Sequence, residues 1–220
     1  APDVVAEAQK RLGCLDPRYG RDVAVADWGC GQIGGVDRRG VDGAVLRADV
    51  FRPEDDGAYP VILSHGVYAK GLPFNGPIYR MQWDKLLAKD PTVLEGSTGK
   101  YQAWEVTDPE RWVPHGYVVA RIDSRGAGWS PGVLWPRAPL EYDDIAESVE
   151  WAAAQPWSNG RVGMYGLSYL GATQWLAAAA TPPNLQCILP GVTASDYYDG
   201  WTYQGGALIL GFNLMWALSA

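Results

Sequence analysis

The sequence predicts an α/β protein whose mainly parallel sheet is covered by helices. Two observations support this fold class. Short continuous apolar runs are typical of strands buried on both faces, and four such runs occur, at 60–64, 117–123, 161–165 and 185–189. Segments with helical spacing or an alanine-rich composition alternate with these runs, at 143–154 and 169–180. This alternation is typical of a doubly wound sheet.

The remaining elements follow in chain order. Residues 1–40 are rich in glycine and are predicted to be irregular. Residues 44–51 alternate between apolar and polar side chains before Pro53, which predicts a strand followed by a breaker. A helix is expected at 78–89, and the polar segment 90–108 is expected to be a surface excursion.

Two proline sites define where the later helices end. Gln155–Pro156 ends the helix at 143–154, because the residue before proline is disfavoured in the helical conformation. Pro182–Pro183 ends the helix at 169–180 in the same way.

Charge and composition exclude several classes of protein. The 220 residues carry a formal net charge of −7, whereas nucleic-acid-binding domains are usually basic. A transmembrane helix needs about 20 apolar residues, and the most apolar stretch, 205–216, is shorter and contains Asn213. The cysteines form no metal-binding pattern. We expect Cys187 to be a buried apolar residue, and the spacing leaves open whether Cys14 and Cys30 pair.

Ser168 is the candidate nucleophile. It lies between the run 161–165 and the helix at 169–180, with Gly166 two residues before it and Gly171 three residues after it. A serine at a sharp strand-to-helix turn is typical of a nucleophile elbow, although the common G-x-S-x-G pattern would place the second glycine at 170. The alternative is an ordinary loop in which Ser168 caps the helix.

Two longer motifs carry a family resemblance. Residues 155–171, which end in Gly166-Leu167-Ser168-Tyr169-Leu170-Gly171, and the turn Asp123-Ser124-Arg125-Gly126-Ala127-Gly128-Trp129-Ser130 occur in this order. They resemble the cocaine esterase and X-prolyl dipeptidyl-peptidase family of α/β-hydrolases, in which the nucleophile elbow has the sequence pattern G-x-S-Y-x-G. The resemblance covers residues 42–220.

The resemblance implies a domain organisation. Residues 41–192 would form the first part of an α/β-hydrolase core, with a mainly parallel, doubly wound sheet, after the irregular segment 1–40. Residues 193–220 would begin a helical cap. The family's C-terminal jelly-roll domain is expected outside this chain.

The resemblance also implies an oxyanion hole. Acyl transfer places negative charge on the carbonyl oxygen, which hydrogen-bond donors must stabilise. One expected donor is the backbone N–H of Tyr169, the residue after the nucleophile. The family's second donor is a tyrosine hydroxyl, and Tyr68 occupies the matching position after the run 60–64. The alternative for Tyr68 is a packing role.

The general base and its acid are expected elsewhere. His65 and His115 both precede Ser168, whereas α/β-hydrolases place the acid and the histidine after the nucleophile. We therefore expect a C-terminal remainder or a second chain to supply an Asp and a His.

Trp201 and Trp216 look like the two cap tryptophans that line the family's acyl pocket, and packing within the cap is the alternative. Such a pocket favours an aromatic or bulky apolar acyl group. Related α-amino acid ester hydrolases place a carboxylate beside the equivalent of Trp201. Here Gly200 precedes Trp201, which makes an amino-acyl substrate less favoured, with Asp199 and Asp196 as the remaining candidates.

We therefore predict a serine hydrolase that cleaves carboxylic esters through an acyl-enzyme at Ser168. Two alternatives stay open: an amidase or peptidase of the same family, and a non-catalytic assembly subunit. No metal or organic cofactor, nucleic acid or membrane partner is expected, and a homo-oligomer is one open possibility. A cytoplasmic location is predicted, with a secreted or periplasmic one as the alternative.

Overall fold

The computed structural model describes residues 29–34, 45–68, 70, 72 and 79–219. Cys14 lies outside them, so its pairing with Cys30 stays a prediction. Within the described residues, no helix has both the length and the apolarity that crossing a bilayer requires.

A six-stranded sheet forms the centre of the described structure. Its strands are β1 (Gly29–Gly34), β2 (Val45–Phe51), β3 (Tyr59–Gly66), β4 (Val118–Asp123), β5 (Ser158–Leu167) and β6 (Leu185–Gly191). They lie in the order β1-β2-β4-β3-β5-β6. Strands β4, β3, β5 and β6 are parallel, and β1 and β2 are joined antiparallel at one side. The predicted mainly parallel sheet is thus confirmed.

The helices connect these strands. They are α1 (Arg80–Lys89), α2 (Pro109–Trp112), α3 (Pro139–Ala153), α4 (Tyr169–Ala180) and α5 (Leu210–Ser219), and 3₁₀ turns occur at Pro91–Leu94 and Val113–His115. Helix α3 begins four residues earlier than the expected 143, because Pro139 takes the first helical position, where its missing N–H costs nothing. Two short strands, β7 (Tyr203–Gln204) and β8 (Ala207–Leu208), form a hairpin before α5.

The core lies on both faces of the sheet. Val118, Ala120 and Ile122 of β4 belong to a cluster that includes side chains of α3 and α4. Val119 belongs to a second cluster with Phe51, Tyr101 and Val113. Because successive side chains of a strand point to opposite faces, β4 is covered on both sides, as its apolar run predicts.

Three expectations were wrong in detail. Residues 29–34 form a strand rather than irregular structure, because pairing with β2 overrides the low strand propensity of their glycines. Strand β6 is an edge strand of the described sheet and is not buried, so Cys187 is exposed instead of buried. The segment 90–108 is not purely a surface excursion, because Tyr101 and Ala103 are each only 2% exposed.

Candidate active site

Ser168 lies at the turn between β5 and α4, in a strained backbone conformation. Its φ of 55° and ψ of −117° belong to a region that glycine occupies far more readily than other residues. A capping serine has an extended backbone, and its side chain accepts a hydrogen bond from the helix. Ser168 makes no such side-chain bond. The geometry therefore favours a nucleophile elbow over an ordinary helix cap.

The glycines around Ser168 permit close packing. A Cβ atom on Gly166 would lie 2.4 Å from Cβ of Leu170. A Cβ atom on Gly171 would lie 2.8 Å from the carbonyl oxygen of Gly191. Helix α4 thus approaches the end of β6 at Gly171, which explains why the second glycine stands at 171. Leu170 is almost fully buried and fills the space above Gly66.

Tyr68 comes shortly after β3 and reaches the nucleophile. The side chain of Ser168 and the backbone N–H of Tyr169 lie close enough to the Tyr68 hydroxyl that each lowers its pKa. Burial, together with the nearby carboxyl of Glu105, raises the pKa of Tyr68 above its usual value, so the phenol keeps its proton. The structure thus places Tyr68 and Tyr169 near Ser168; their role as oxyanion donors stays a prediction.

Glu105 is a site residue that the sequence analysis missed. Its Oε2 atom accepts a hydrogen bond from the Tyr68 hydroxyl at 2.8 Å. Its backbone carbonyl accepts a hydrogen bond of 3.3 Å from Leu167, the residue before the nucleophile. Burial raises the pKa of the Glu105 carboxyl, and hydrogen bonds from Tyr68 and Trp104 partly oppose that shift.

The side chain of Tyr169 is fixed behind the nucleophile. Its hydroxyl donates to Oε2 of Glu141 at 2.6 Å, and its ring stacks on Trp216 with centroids 5.7 Å apart. Burial and the Glu141 carboxyl raise the pKa of the Tyr169 hydroxyl above its usual range. These contacts hold the residue whose N–H faces the site.

A small pocket, with a cavity volume of about 20 Å³, opens beside Ser168. Both predicted tryptophans line it, and the other lining residues are Arg137, Tyr169, Tyr197, Phe212 and Asn213. Trp201 packs edge-on against Phe212, with ring centroids 5.2 Å apart. The structure therefore places Trp201 and Trp216 against the nucleophile; their contact with substrate stays a prediction.

Neither histidine is placed to activate Ser168. The ring of His65 is fully buried, and its Nδ1 atom bonds to Ser148 Oγ of α3 at 3.2 Å. Burial lowers the pKa of His65 to about 4, so the ring is neutral at pH 7. His115 ends a 3₁₀ turn three residues before β4 begins. It therefore lies at the amino-terminal end of the parallel strands, whereas Ser168 follows the carboxyl end of β5.

The two aspartates considered for an ammonium group have different surroundings. Asp196 Oδ1 accepts hydrogen bonds from the backbone N–H groups of Tyr198 and Asp199, and so stabilises its own turn. Neither Asp196 nor Asp199 lines the pocket beside Ser168.

A mainly parallel sheet with a strained serine between a central strand and a helix defines the class: this is part of an α/β-hydrolase core. Residues 42–220 match the family model described as X-Pro dipeptidyl-peptidase (S15 family). The chain belongs to that family.

Several relatives support this assignment. The chain is 33% identical over 177 residues to a cocaine esterase from Rhodococcus, an alignment that covers 80% of this chain and 26% of the relative. It is 28% identical over 181 residues to a putative Xaa-Pro dipeptidyl-peptidase from Bacillus anthracis, covering 74% of this chain and 28% of that protein. The named relatives are serine esterases and peptidases, both of which are hydrolases.

A solved structure agrees with the fold. A CocE/NonD family hydrolase from Staphylococcus aureus superposes with a TM-score of 0.70 at 35% identity, and the match covers 86% of this chain and 31% of that one. An α-amino acid ester hydrolase, at 22% identity and a TM-score of 0.54, shares the fold. The chain thus spans about a quarter to a third of the length of these relatives.

Proposed function

We propose that the complete protein is a serine esterase in which Ser168 attacks the acyl carbon of a carboxylic ester. The observation that carries this proposal is the convergence of three groups at one turn. Ser168 occupies the strained turn, and its side chain and the Tyr169 N–H both lie close enough to the Tyr68 hydroxyl to lower its pKa. Two donors beside a nucleophile are what a tetrahedral acyl intermediate requires.

The reaction would proceed in two steps. Ser168 Oγ attacks the carbonyl carbon and loses its proton to a base, and the alcohol leaves with that proton. Water, activated by the same base, then attacks the acyl-enzyme and releases the acid. The Tyr68 hydroxyl and the Tyr169 N–H donate hydrogen bonds to the oxyanion in both steps.

The base would come from outside these 220 residues. The buried position of His65 and the remote position of His115 support this assignment. An acid and a histidine supplied by the part of the relatives' length that this chain does not span, or by a second chain, would complete the triad.

The pocket indicates the acyl group. Trp201, Phe212 and Trp216 present aromatic surface beside Ser168. An aromatic or bulky apolar acyl group would pack against this surface once these side chains move apart, because the cavity itself is only about 20 Å³. We favour such esters over amino-acyl esters, because neither Asp196 nor Asp199 lines the pocket.

A peptidase is the second candidate. The family model is named for X-Pro dipeptidyl-peptidases, and the relative from Bacillus anthracis carries a similar name.

The domain boundaries after residues 40 and 192, and the cytoplasmic location, stay predictions.

The test uses the full-length protein. Wild type and a Ser168→Ala variant would be treated with a fluorophosphonate probe, and the adduct mapped by mass spectrometry. Both would then be assayed with 4-nitrophenyl benzoate, 4-nitrophenyl acetate and an X-Pro-4-nitroanilide. Labelling at Ser168 with faster turnover of the benzoate supports the esterase. Turnover of the anilide alone supports the peptidase. A folded protein with neither labelling nor turnover would refute both enzymes and favour a non-catalytic assembly subunit.

A further inference from the structure

The loop 101–107 is held against the nucleophile elbow, although it is irregular. Arg121 of β4 is only 1% exposed. Its Nη2 atom donates to the carbonyl oxygens of Tyr101 at 2.8 Å and Thr107 at 2.7 Å. A buried guanidinium requires such partners. Both ends of the loop are therefore fixed to the central sheet.

The middle of the loop is fixed as well. The backbone N–H of Trp104 donates to Leu72 O at 2.8 Å, and its ring stacks on Tyr79 with centroids 4.3 Å apart. Glu105 has a φ of 63°, a conformation that is uncommon for a residue with a side chain and persists only when its surroundings impose it. The bond from Leu167 N–H to its carbonyl ties this residue to the elbow.

These constraints hold the Glu105 carboxyl group next to the Tyr68 hydroxyl group. Glu105 Oε2 lies 2.8 Å from Tyr68 Oη, and the same hydroxyl lies close enough to Ser168 and the Tyr169 N–H for both to lower its pKa. A phenol rotates about its C–O bond, and its single proton goes to whichever acceptor is best placed. An oxyanion donor is effective only when its direction is set before the reaction.

We propose that Glu105 is a positioning residue that hydrogen-bonds to Tyr68 and orients its hydroxyl toward the carbonyl oxygen of the substrate. This inference rests on the proposed function, because it assumes that Tyr68 donates to the oxyanion. In the structure the Tyr68 hydroxyl donates to Glu105 Oε2, and this bond holds the phenol oxygen in place. The phenol proton turns to the oxyanion as negative charge develops there.

The experiment is a double-mutant cycle in the full-length protein, using the ester that wild type turns over best. Glu105→Ala is expected to lower kcat about 10- to 100-fold with KM changed less than about 3-fold, because a mispositioned donor weakens only the transition state. Glu105→Gln keeps a hydrogen-bond acceptor at the same place and is expected to retain most of kcat. In a Tyr68→Phe background, Glu105→Ala is expected to have little further effect. Glu95→Ala, an exposed carboxylate on the same connection, is the matched control.

The outcomes separate this inference from the proposed function. Equal losses from Glu105→Ala with and without Tyr68 would show that Glu105 acts independently, and would overturn the inference. A Gln variant as impaired as the Ala variant, or an Ala variant with wild-type kcat, would also overturn it. Fluorophosphonate labelling of Ser168 in every variant confirms that the site is folded. Failure to label Ser168 in wild type would refute the proposed function itself.

Discussion

Replacing Ser168 by glycine is expected to stabilise the protein while it abolishes activity. The φ of 55° and ψ of −117° at this residue cost a residue with a side chain about 1–3 kcal/mol. Glycine adopts this conformation freely but loses about 0.5–1 kcal/mol through the greater entropy of its unfolded chain. The difference is a net gain of about 1 kcal/mol.

The comparison that isolates backbone strain is Ser168→Gly against Ser168→Ala in the full-length protein. Both variants lack the hydroxyl group, but alanine keeps the Cβ atom and therefore the strain. We expect the Gly variant to melt about 1 °C above the Ala variant, because the shift per kcal/mol becomes smaller as a protein becomes larger; differential scanning fluorimetry measures it. Thr181→Gly, at the left-handed residue that ends α4, is expected to raise the melting temperature with activity unchanged. A Ser168→Gly variant no more stable than Ser168→Ala would refute the strain argument.

Two further predictions concern the packing beneath the site. Because burial depresses the pKa of His65 to about 4 in the folded protein, the stability this residue contributes is present above pH 6.5 and is lost as pH falls through 4. Between pH 6.5 and pH 4, urea denaturation should show that the free energy of unfolding of wild type falls by up to about 3 kcal/mol. The fall should be smaller in His65→Gln, and equal falls in the two proteins would contradict the lowered pKa of His65. Gly171→Ala should destabilise the protein by about 1–3 kcal/mol and slow the ester hydrolysis, because its Cβ would lie 2.8 Å from Gly191 O. Unchanged melting and turnover would count against the close approach of α4 to β6.

Much of the fold was predictable because parallel strands leave a strong pattern. A strand covered on both faces is mostly apolar, so the run that became β4 could be predicted despite its two charged residues, Arg121 and Asp123. The same reasoning failed for the run that became β6, because an apolar run does not show how many neighbouring strands it has. The strand β1 was not predicted, because its glycines have little strand propensity and only the pairing with β2 makes it a strand.

The nucleophile and Tyr68 were predictable from motifs, whereas Glu105 was not. Glu105 comes to the site through a long polar connection whose path depends on tertiary contacts. One signal did point to it. Arg121 lies in a buried strand between the apolar residues Ala120 and Ile122, and a buried charge needs partners that a strand interior does not supply. A covering loop that offers carbonyl groups is the simplest source of such partners.

Strand β6 has a practical consequence for any preparation of these 220 residues without the rest of the full-length protein. An unpaired strand edge is a template on which another chain can add, and exposed apolar side chains strengthen that contact. Leu189 on β6 is 64% exposed, and the thiol of Cys187 on the same strand is free. Under oxidising conditions, a reversible association at this edge would become covalent through that thiol. Reducing agent and low protein concentration would keep preparations of this segment monodisperse.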